Sequence, residues 1–82
     1  MLCTLLGYRV LDFTSSEGNQ IKGYSLYVAY EPEDNSGMMF GMVGEKVYVS
    51  DDKVARKDLV VGRDIDLVFN MKGKVIKVET KN

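Results

Sequence analysis

The stretch KGYSLYVAY, residues 22–30, decides the fold class of this chain. Tyr24, Leu26 and Val28 fall on one face of an extended chain, and a period of two rich in Tyr and Val is typical of a β-strand. The stretch holds three of the five tyrosines and begins with Lys22. Aromatic rings beside a cation on a sheet suit the stacking of unpaired nucleic-acid bases. Half-buried tyrosines of an ordinary small barrel would give the same pattern, so both interpretations stay open.

Length and composition predict one small folded domain spanning residues 1–82. The chain is 45% hydrophobic and 28% charged, values that are ordinary for a folded domain. A chain of this length buries a modest share of its surface, so dimerisation would supplement its stability. Its net charge of −1 argues against binding duplex DNA through phosphate neutralisation, but it is compatible with base stacking in a locally basic groove.

The single cysteine and the N-terminal residues predict a cytoplasmic protein. Cys3 stands among Leu2, Leu5 and Leu6 and has no partner for an intramolecular disulfide, so we expect a buried thiol in a reducing compartment. The apolar N-terminus lacks a basic segment and is too short for a signal peptide or a membrane span. We therefore expect no contact with a membrane.

The first hairpin is predicted from two apolar stretches and a polar turn. Residues 2–13 are apolar on both faces near their start, and Gly7 in their middle is a candidate β-bulge. Residues 14–21 (TSSEGNQI) form a polar turn in which Gly18 tolerates a positive φ. This turn would join residues 2–13 to residues 22–30 as an antiparallel hairpin with a projecting loop.

Three more strands are predicted nearer the C-terminus. Residues 45–50 (EKVYVS) alternate valines with Lys46 and Tyr48, which repeats the motif of a cation beside a tyrosine. Residues 64–70 and 74–80 flank a tight turn and predict a closing hairpin. The exposed tip of that hairpin carries one aromatic and two basic side chains, Phe69, Lys72 and Lys74.

The remaining segments predict connections. Residues 31–37 (EPEDNSG) indicate an exposed loop, and their oxygen atoms do not follow a calcium-loop pattern, so we expect no metal site. Residues 38–43 (MMFGMV) predict a place in the core or in a subunit interface, with ligand contact as the alternative. Residues 50–57 predict a short helical turn, in which Asp51 and Asp52 cap the positive end rather than form a catalytic pair.

Five strands and at most one short helical turn predict an all-β fold. Several short strands in a chain of this size are typical of a small antiparallel barrel. We expect the barrel to be closed or nearly closed, because an open sheet would leave edge strands exposed to aggregation.

The residues that most enzymes use are missing from the chain. There is no histidine, which removes the commonest general base and transition-metal ligand. A single cysteine forms no activated pair and no zinc site, and the glycines do not make a phosphate-binding loop. We therefore expect a binding protein rather than an enzyme, with no cofactor and no metal.

Three stretches resemble the gene V proteins of filamentous phages. GNQIKGYSLYVAY, residues 18–30, is similar to the glycine-led loop and Lys-x-Tyr-Ser-Leu strand of that family. EKVYVSDD, residues 45–52, is similar to its central strand and acidic turn, and VGRDIDLVFNMKGKVIKVE, residues 61–79, resembles its C-terminal hairpin. The resemblance implies an OB-fold and a homodimer that coats single-stranded DNA.

Position by position, the resemblance implies a DNA groove formed by the first hairpin, the central strand and the closing hairpin. It places there the residues Lys22, Tyr24, Leu26, Lys46 and Phe69. The family's first loop carries arginines that neutralise phosphate, whereas this loop has Glu17, Asn19 and Gln20. We therefore expect weaker binding that depends more on stacking.

Two hypotheses about function follow. In the first, the chain binds single-stranded DNA without sequence specificity in a bacterial cytoplasm, serving replication or transfer of a phage or mobile element, with RNA left open as a ligand. The residues expected to contact phosphates are Arg9, Lys22, Lys46, Lys72 and Lys74. The residues expected to stack on bases are Tyr24, Tyr27, Tyr48 and Phe69. In the second, a small β-barrel binds proteins through a strand edge or through residues 38–43, and binds no nucleic acid.

Overall fold

The computed structural model describes residues 1–33 and 37–80, which form five strands and one turn of 3-10 helix. The strands are β1 (Leu2–Thr14), β2 (Gln20–Tyr30), β3 (Val43–Ser50), β4 (Asp64–Phe69) and β5 (Val75–Thr80), and the helical turn is Arg56–Asp58. The predicted all-β class is confirmed. No helix within the described residues is long and apolar enough to cross a membrane.

The five strands form one antiparallel sheet in the order β3-β2-β1-β4-β5. β1 joins the two halves of this sheet, because it pairs with β2 from Thr4 to Thr14 and with β4 through Leu2, Cys3 and Thr4. The sheet curls, so that Cα atoms of its two outer strands, β3 and β5, come within 8 Å of each other. In the part of the chain that the structure describes, no hydrogen-bonded ladder joins β3 to β5. Closure of the barrel therefore stays a prediction.

A β-bulge lies where the sequence predicts it. Leu5 pairs with Val28 and Gly7 pairs with Tyr27, which leaves Leu6 as the extra residue of β1. A bulge bends the strand that carries it and increases its twist. This bend helps the two ends of β1 to reach different partner strands.

The core lies on the inner face of the curled sheet. Alternate residues of each strand point inward, as the period of two requires, and bury aliphatic side chains. The most completely buried of these are Leu5, Leu26, Val28, Val49, Ile65 and Leu67. Cys3 is buried with them, so the predicted buried thiol is confirmed, and this burial raises the pKa of the Cys3 thiol. Val54 and Leu59 close the core from the connection between β3 and β4.

The methionine-rich segment lies outside the core, so that part of the prediction is wrong. Phe40 is 85% exposed, and Met38 and Met42 are also exposed. The strands fill the core with their own aliphatic residues. Residues 38–42 precede β3, and within the segment Val43 alone belongs to the sheet, where it pairs with Tyr30. A place in a subunit interface stays a prediction for residues 38–43. In the preceding acidic loop, positions 34–36 lie outside the described residues.

The predicted helical turn is displaced toward the C-terminus. Helix occurs only at Arg56–Asp58 within the described chain, and the residue before it, Ala55, makes no side-chain capping bond. The predicted capping role of Asp51 and Asp52 is therefore wrong. The Ser50 hydroxyl instead donates a hydrogen bond to the Asp52 carboxylate, which closes a local turn at the end of β3.

The first hairpin extends beyond the rest of the sheet. β3 ends at Ser50, opposite Gly23 of β2, so the segments of β1 and β2 beyond this point have no third strand beside them. The molecule measures 47 × 30 × 21 Å along its principal axes. The projecting hairpin contributes to this elongated shape.

Candidate nucleic-acid interface

Four of the residues expected to bind nucleic acid lie on the solvent side of β1, β2 and β3. Tyr27 stands directly opposite Lys46 in the ladder between β2 and β3. Ser25 stands opposite Tyr48 on one side and opposite Arg9 on the other. Cross-strand partners project to the same side of a sheet, so these side chains share one surface. We call this surface, formed by Arg9, Tyr27, Lys46 and Tyr48, the outer face.

The Tyr48 ring is held in place on the outer face. Its hydroxyl donates a hydrogen bond of 3.3 Å to the backbone carbonyl of Lys22, so the side chain reaches across β2 at Gly23. A Cβ atom added to Gly23 would lie 2.9 Å from the Tyr48 hydroxyl and would overlap the backbone oxygen of Val49. Tyr48 nevertheless stays 48% exposed, which leaves ring surface available for stacking.

A groove adjoins the outer face where β3 approaches the hairpin formed by β4 and β5. It has a volume of about 570 Å³ and is open to solvent. Lys46 and Tyr48 contribute to its lining from β3, and Phe69 and Lys74 contribute from the hairpin. The connection after β3 adds Lys53. Three cations and two aromatic rings from separate parts of the chain therefore surround one groove.

The turn between β4 and β5 is fixed by one side chain. The Asn70 side-chain oxygen accepts hydrogen bonds from the backbone N–H groups of Lys72 at 2.9 Å and Lys74 at 3.0 Å. Gly73 takes a φ of 79°, which suits glycine, and its N–H donates to the Asn70 carbonyl. The turn therefore holds Phe69 and Lys74 at the groove. Lys72 is exposed at the tip and does not line the groove.

Lys53 was missed because the sequence placed it inside a predicted helical turn. Its Nζ lies 3.6 Å from an oxygen of Asp52. The hydrogen bond from the Ser50 hydroxyl, supported by the positive charge of Lys53, lowers the pKa of Asp52 below its usual value. Asp52 is therefore ionised at neutral pH and offsets part of the positive charge of Lys53. The position of Lys53, three residues after the end of the strand that carries Lys46, was the signal in the sequence that could have indicated a second cation at this site.

Two residues carried over from the gene V resemblance lie in the core. Tyr24 is 8% exposed and Leu26 is fully buried, so their predicted place in a DNA groove is wrong. The reason is the alternation of β2, which turns both inward with Val28. Tyr24 packs edge-on against Tyr8, with 6.1 Å between the ring centroids. Neither side chain offers a surface on which a base could stack.

Lys22 lies apart from the outer face. Lys22 is exposed, but it is two residues from Tyr24 along β2. Its side chain therefore projects to the same side of the sheet as Tyr24, which is opposite to the side of Tyr27. It lines a small depression together with Asp12 and Asp51. Lys22 and Lys72, both expected to contact phosphates, therefore do not line the groove, and the cations that do are Lys46, Lys53 and Lys74.

The acidic residues near the site are largely directed elsewhere. Glu45 lines the groove, but its carboxylate accepts a hydrogen bond of 3.1 Å from the Tyr30 hydroxyl, which raises the pKa of Tyr30. Glu31 and Glu33 line a different depression, beside Met1. Among the described residues, no three Asp, Glu or Cys side chains come together in a way that could hold a metal ion.

No protein-family model, curated protein or solved structure matches the chain. The similarity to gene V proteins therefore stays a resemblance of short motifs. The described residues form a small β-sheet protein with a basic and aromatic surface at the outer face and the groove beside it.

Proposed function

We propose that this protein binds single-stranded DNA without sequence specificity. Bases stack on Tyr27, Tyr48 and Phe69, and phosphates contact Lys46 and Lys74. The observation that carries the proposal is the groove beside β3, where two exposed aromatic rings lie among three cations. A positively charged groove lined by exposed rings is the usual arrangement for binding unpaired strands.

The balance of rings and charges supports binding that is dominated by stacking. Every base has a π-face, so stacking on a ring tolerates any sequence, and each ring contributes about 1–3 kcal/mol. The net charge of the chain is −1, so attraction for phosphate is limited to the local surface. Four cations, Arg9, Lys46, Lys53 and Lys74, would give a salt slope no steeper than about −3, at about −0.7 per neutralised phosphate.

The setting of this activity follows from the resemblance to gene V proteins. We propose an OB-fold homodimer that acts in a bacterial cytoplasm, in replication or transfer of a phage or mobile element. In OB-folds, the face of strands 2 and 3 and the loops after strands 1 and 4 bind oligonucleotides. The outer face and the turn after β4 occupy corresponding positions, which supports the proposal. RNA offers the same stacking surfaces and is tested beside DNA.

The test is an anisotropy titration of a labelled 16-nucleotide oligo-dT with the wild type and two variants. Tyr48→Ala should weaken binding about 5- to 140-fold, the equivalent of one lost stack. Phe40→Ala is the matched control, because Phe40 is an exposed aromatic residue that does not line the groove. Equal affinities of the wild type and Tyr48→Ala would contradict the proposed site, and the same series with oligo-U tests RNA.

A second candidate function is protein binding through residues 38–43. The exposure of Phe40 and Met42 favours it, because such apolar side chains are common at protein interfaces. If this segment forms the proposed homodimer, Phe40→Ser should shift sedimentation toward the monomer and leave oligo-dT binding per protomer unchanged. A wild type that does not bind oligo-dT at low salt would favour protein binding as the function.

A further inference from the structure

We infer that the bound single strand continues from Tyr48 onto the projecting hairpin, where Phe13 stacks a further base. This inference rests on the proposed function. Phe13 belongs neither to the groove nor to the residues that the gene V resemblance implies. It lies on the opposite side of the first hairpin from Tyr24.

The register of the hairpin places Phe13 on the outer face. Phe13 pairs with Ile21, Leu11 pairs with Gly23, and Arg9 pairs with Ser25. These pairs are two residues apart along β1, so their side chains project to the same side of the sheet. Phe13 is 51% exposed, which leaves ring surface available to a base.

The surface is continuous from the groove to Phe13. The Tyr48 side chain reaches across β2 at Gly23 and so lies between the Tyr27–Lys46 pair and the hairpin. Tyr27 lies six positions along β2 from Ile21, the partner of Phe13, which is about 20 Å of strand. At about 3.4 Å per nucleotide, the spacing in one strand of a duplex, this path corresponds to about six nucleotides, and a more extended unpaired strand covers it with fewer.

The hairpin suits contact with bases rather than with phosphates. The loop between its strands, residues 15–19 (SSEGN), holds one acidic residue and no lysine or arginine. The loop is closed by its own backbone, since the Ser15 N–H donates to the Asn19 carbonyl at 2.7 Å. Stacking on Phe13 should therefore add affinity without adding to the salt slope, in contrast to Lys46 and Lys74.

The experiment compares three variants on oligo-dT of 16 and of 4 nucleotides at several salt concentrations. Phe13→Ala should weaken binding of the longer oligonucleotide about 5- to 140-fold with an unchanged salt slope, and should weaken binding of the shorter one less, because four nucleotides can bind elsewhere along the path. Phe13→Tyr keeps the ring and should bind as the wild type does. Val10→Ala is the matched control, since Val10 is 47% exposed on the other face of the same hairpin.

The outcomes separate this inference from the proposed function. If the wild type binds oligo-dT and Phe13→Ala binds equally well, the inference is overturned and the proposed function stands. If Phe13→Ala changes sedimentation rather than affinity, Phe13 contacts a second copy and the inference is again overturned. If the wild type does not bind at low salt, both fail. Urea unfolding of each variant shows whether it is folded, and recovery of binding in Phe13→Tyr distinguishes stacking from loss of structure.

Discussion

Gly23 determines where Tyr48 lies, because β2 has no side chain at this position. The end of β3 crosses so close to β2 that a Cβ atom would overlap the Val49 carbonyl oxygen. The sequence marks Gly23 only as a permissive residue beside Lys22. Its actual role, which is to admit the Tyr48 hydroxyl to the Lys22 carbonyl, depends on a neighbour 25 residues away in the chain. Local patterns carry no signal for such an approach.

Gly23→Ala should therefore destabilise the fold and displace Tyr48. Overpacking of this kind costs about 1–3 kcal/mol, because backbone rather than a flexible side chain must move. We expect a lower urea midpoint and weaker oligo-dT binding in the same variant. Gly44→Ala is the matched control, since a Cβ atom at Gly44 of β3 would meet no atom within 4 Å. Equal midpoints for the two variants would contradict the close approach at Gly23.

Asp52 should make stability depend on pH in the acidic range. The Ser50 hydroxyl and Lys53 lower its pKa in the folded chain below the ordinary value of 3.8. The carboxylate therefore contributes stability that is fully present above pH 3.8 and is lost as the pH falls through the lower, folded pKa. Asp52→Asn should flatten the dependence of the urea midpoint on pH below about 4.

The same substitution should affect binding. Asp52→Asn removes the negative charge beside Lys53, so oligo-dT binding at low salt should strengthen, and the gain should shrink as salt is added. Asp51→Asn is the control, because Asp51 is a neighbouring exposed acid that lines a different depression, together with Lys22. Equal effects of the two substitutions would contradict a contribution of Lys53 to the positive charge of the groove.

At the scale of the elements, the strands were largely predictable and their connections were not. Alternation of apolar and polar residues gave all five strands to within two residues at each end, because period two is a local property. Gly7 indicated the bulge, because a glycine inside a strand is a local signal for one. The composition of the methionine-rich segment predicted a place in the core or in a subunit interface, and composition does not show whether the core has room for it. The helical turn lies nearer the C-terminus than predicted, and the Ser50 hydroxyl bonds to the Asp52 carboxylate where the sequence predicted the turn to begin.

The turn between β4 and β5 is the element whose contribution to binding is easiest to isolate. Lys74→Ala should reduce the steepness of the salt slope by about 0.7, since it removes one phosphate contact. Lys77→Ala is the matched control, because Lys77 lies on β5, is paired with Glu79 at 2.9 Å and does not line the groove. If both variants kept the wild-type slope, Lys74 would not contact phosphate.

At the scale of the whole molecule, curling of the sheet creates the site. β3 and β5 lie at opposite ends of the strand order, yet the groove draws residues from both sides of this gap. Alternation alone predicted that Lys46 and Tyr48 share a face. Lys46 lines the same groove as Phe69 and Lys74 because the two ends of the sheet approach each other. A local sequence pattern does not predict that approach. The gene V resemblance assigned Tyr24 and Leu26 to a DNA groove, although the structure buries both side chains.

The central claim, that exposed rings beside local cations bind unpaired bases, is tested most directly by one fluorescence titration. Purified wild-type protein is titrated with oligo-dT at low and at moderate salt, and quenching of tyrosine fluorescence is followed. We predict quenching that saturates at a finite stoichiometry and weakens only modestly as salt is added, because stacking dominates. The absence of quenching and binding at low salt, where attraction for phosphate is greatest, would contradict the claim.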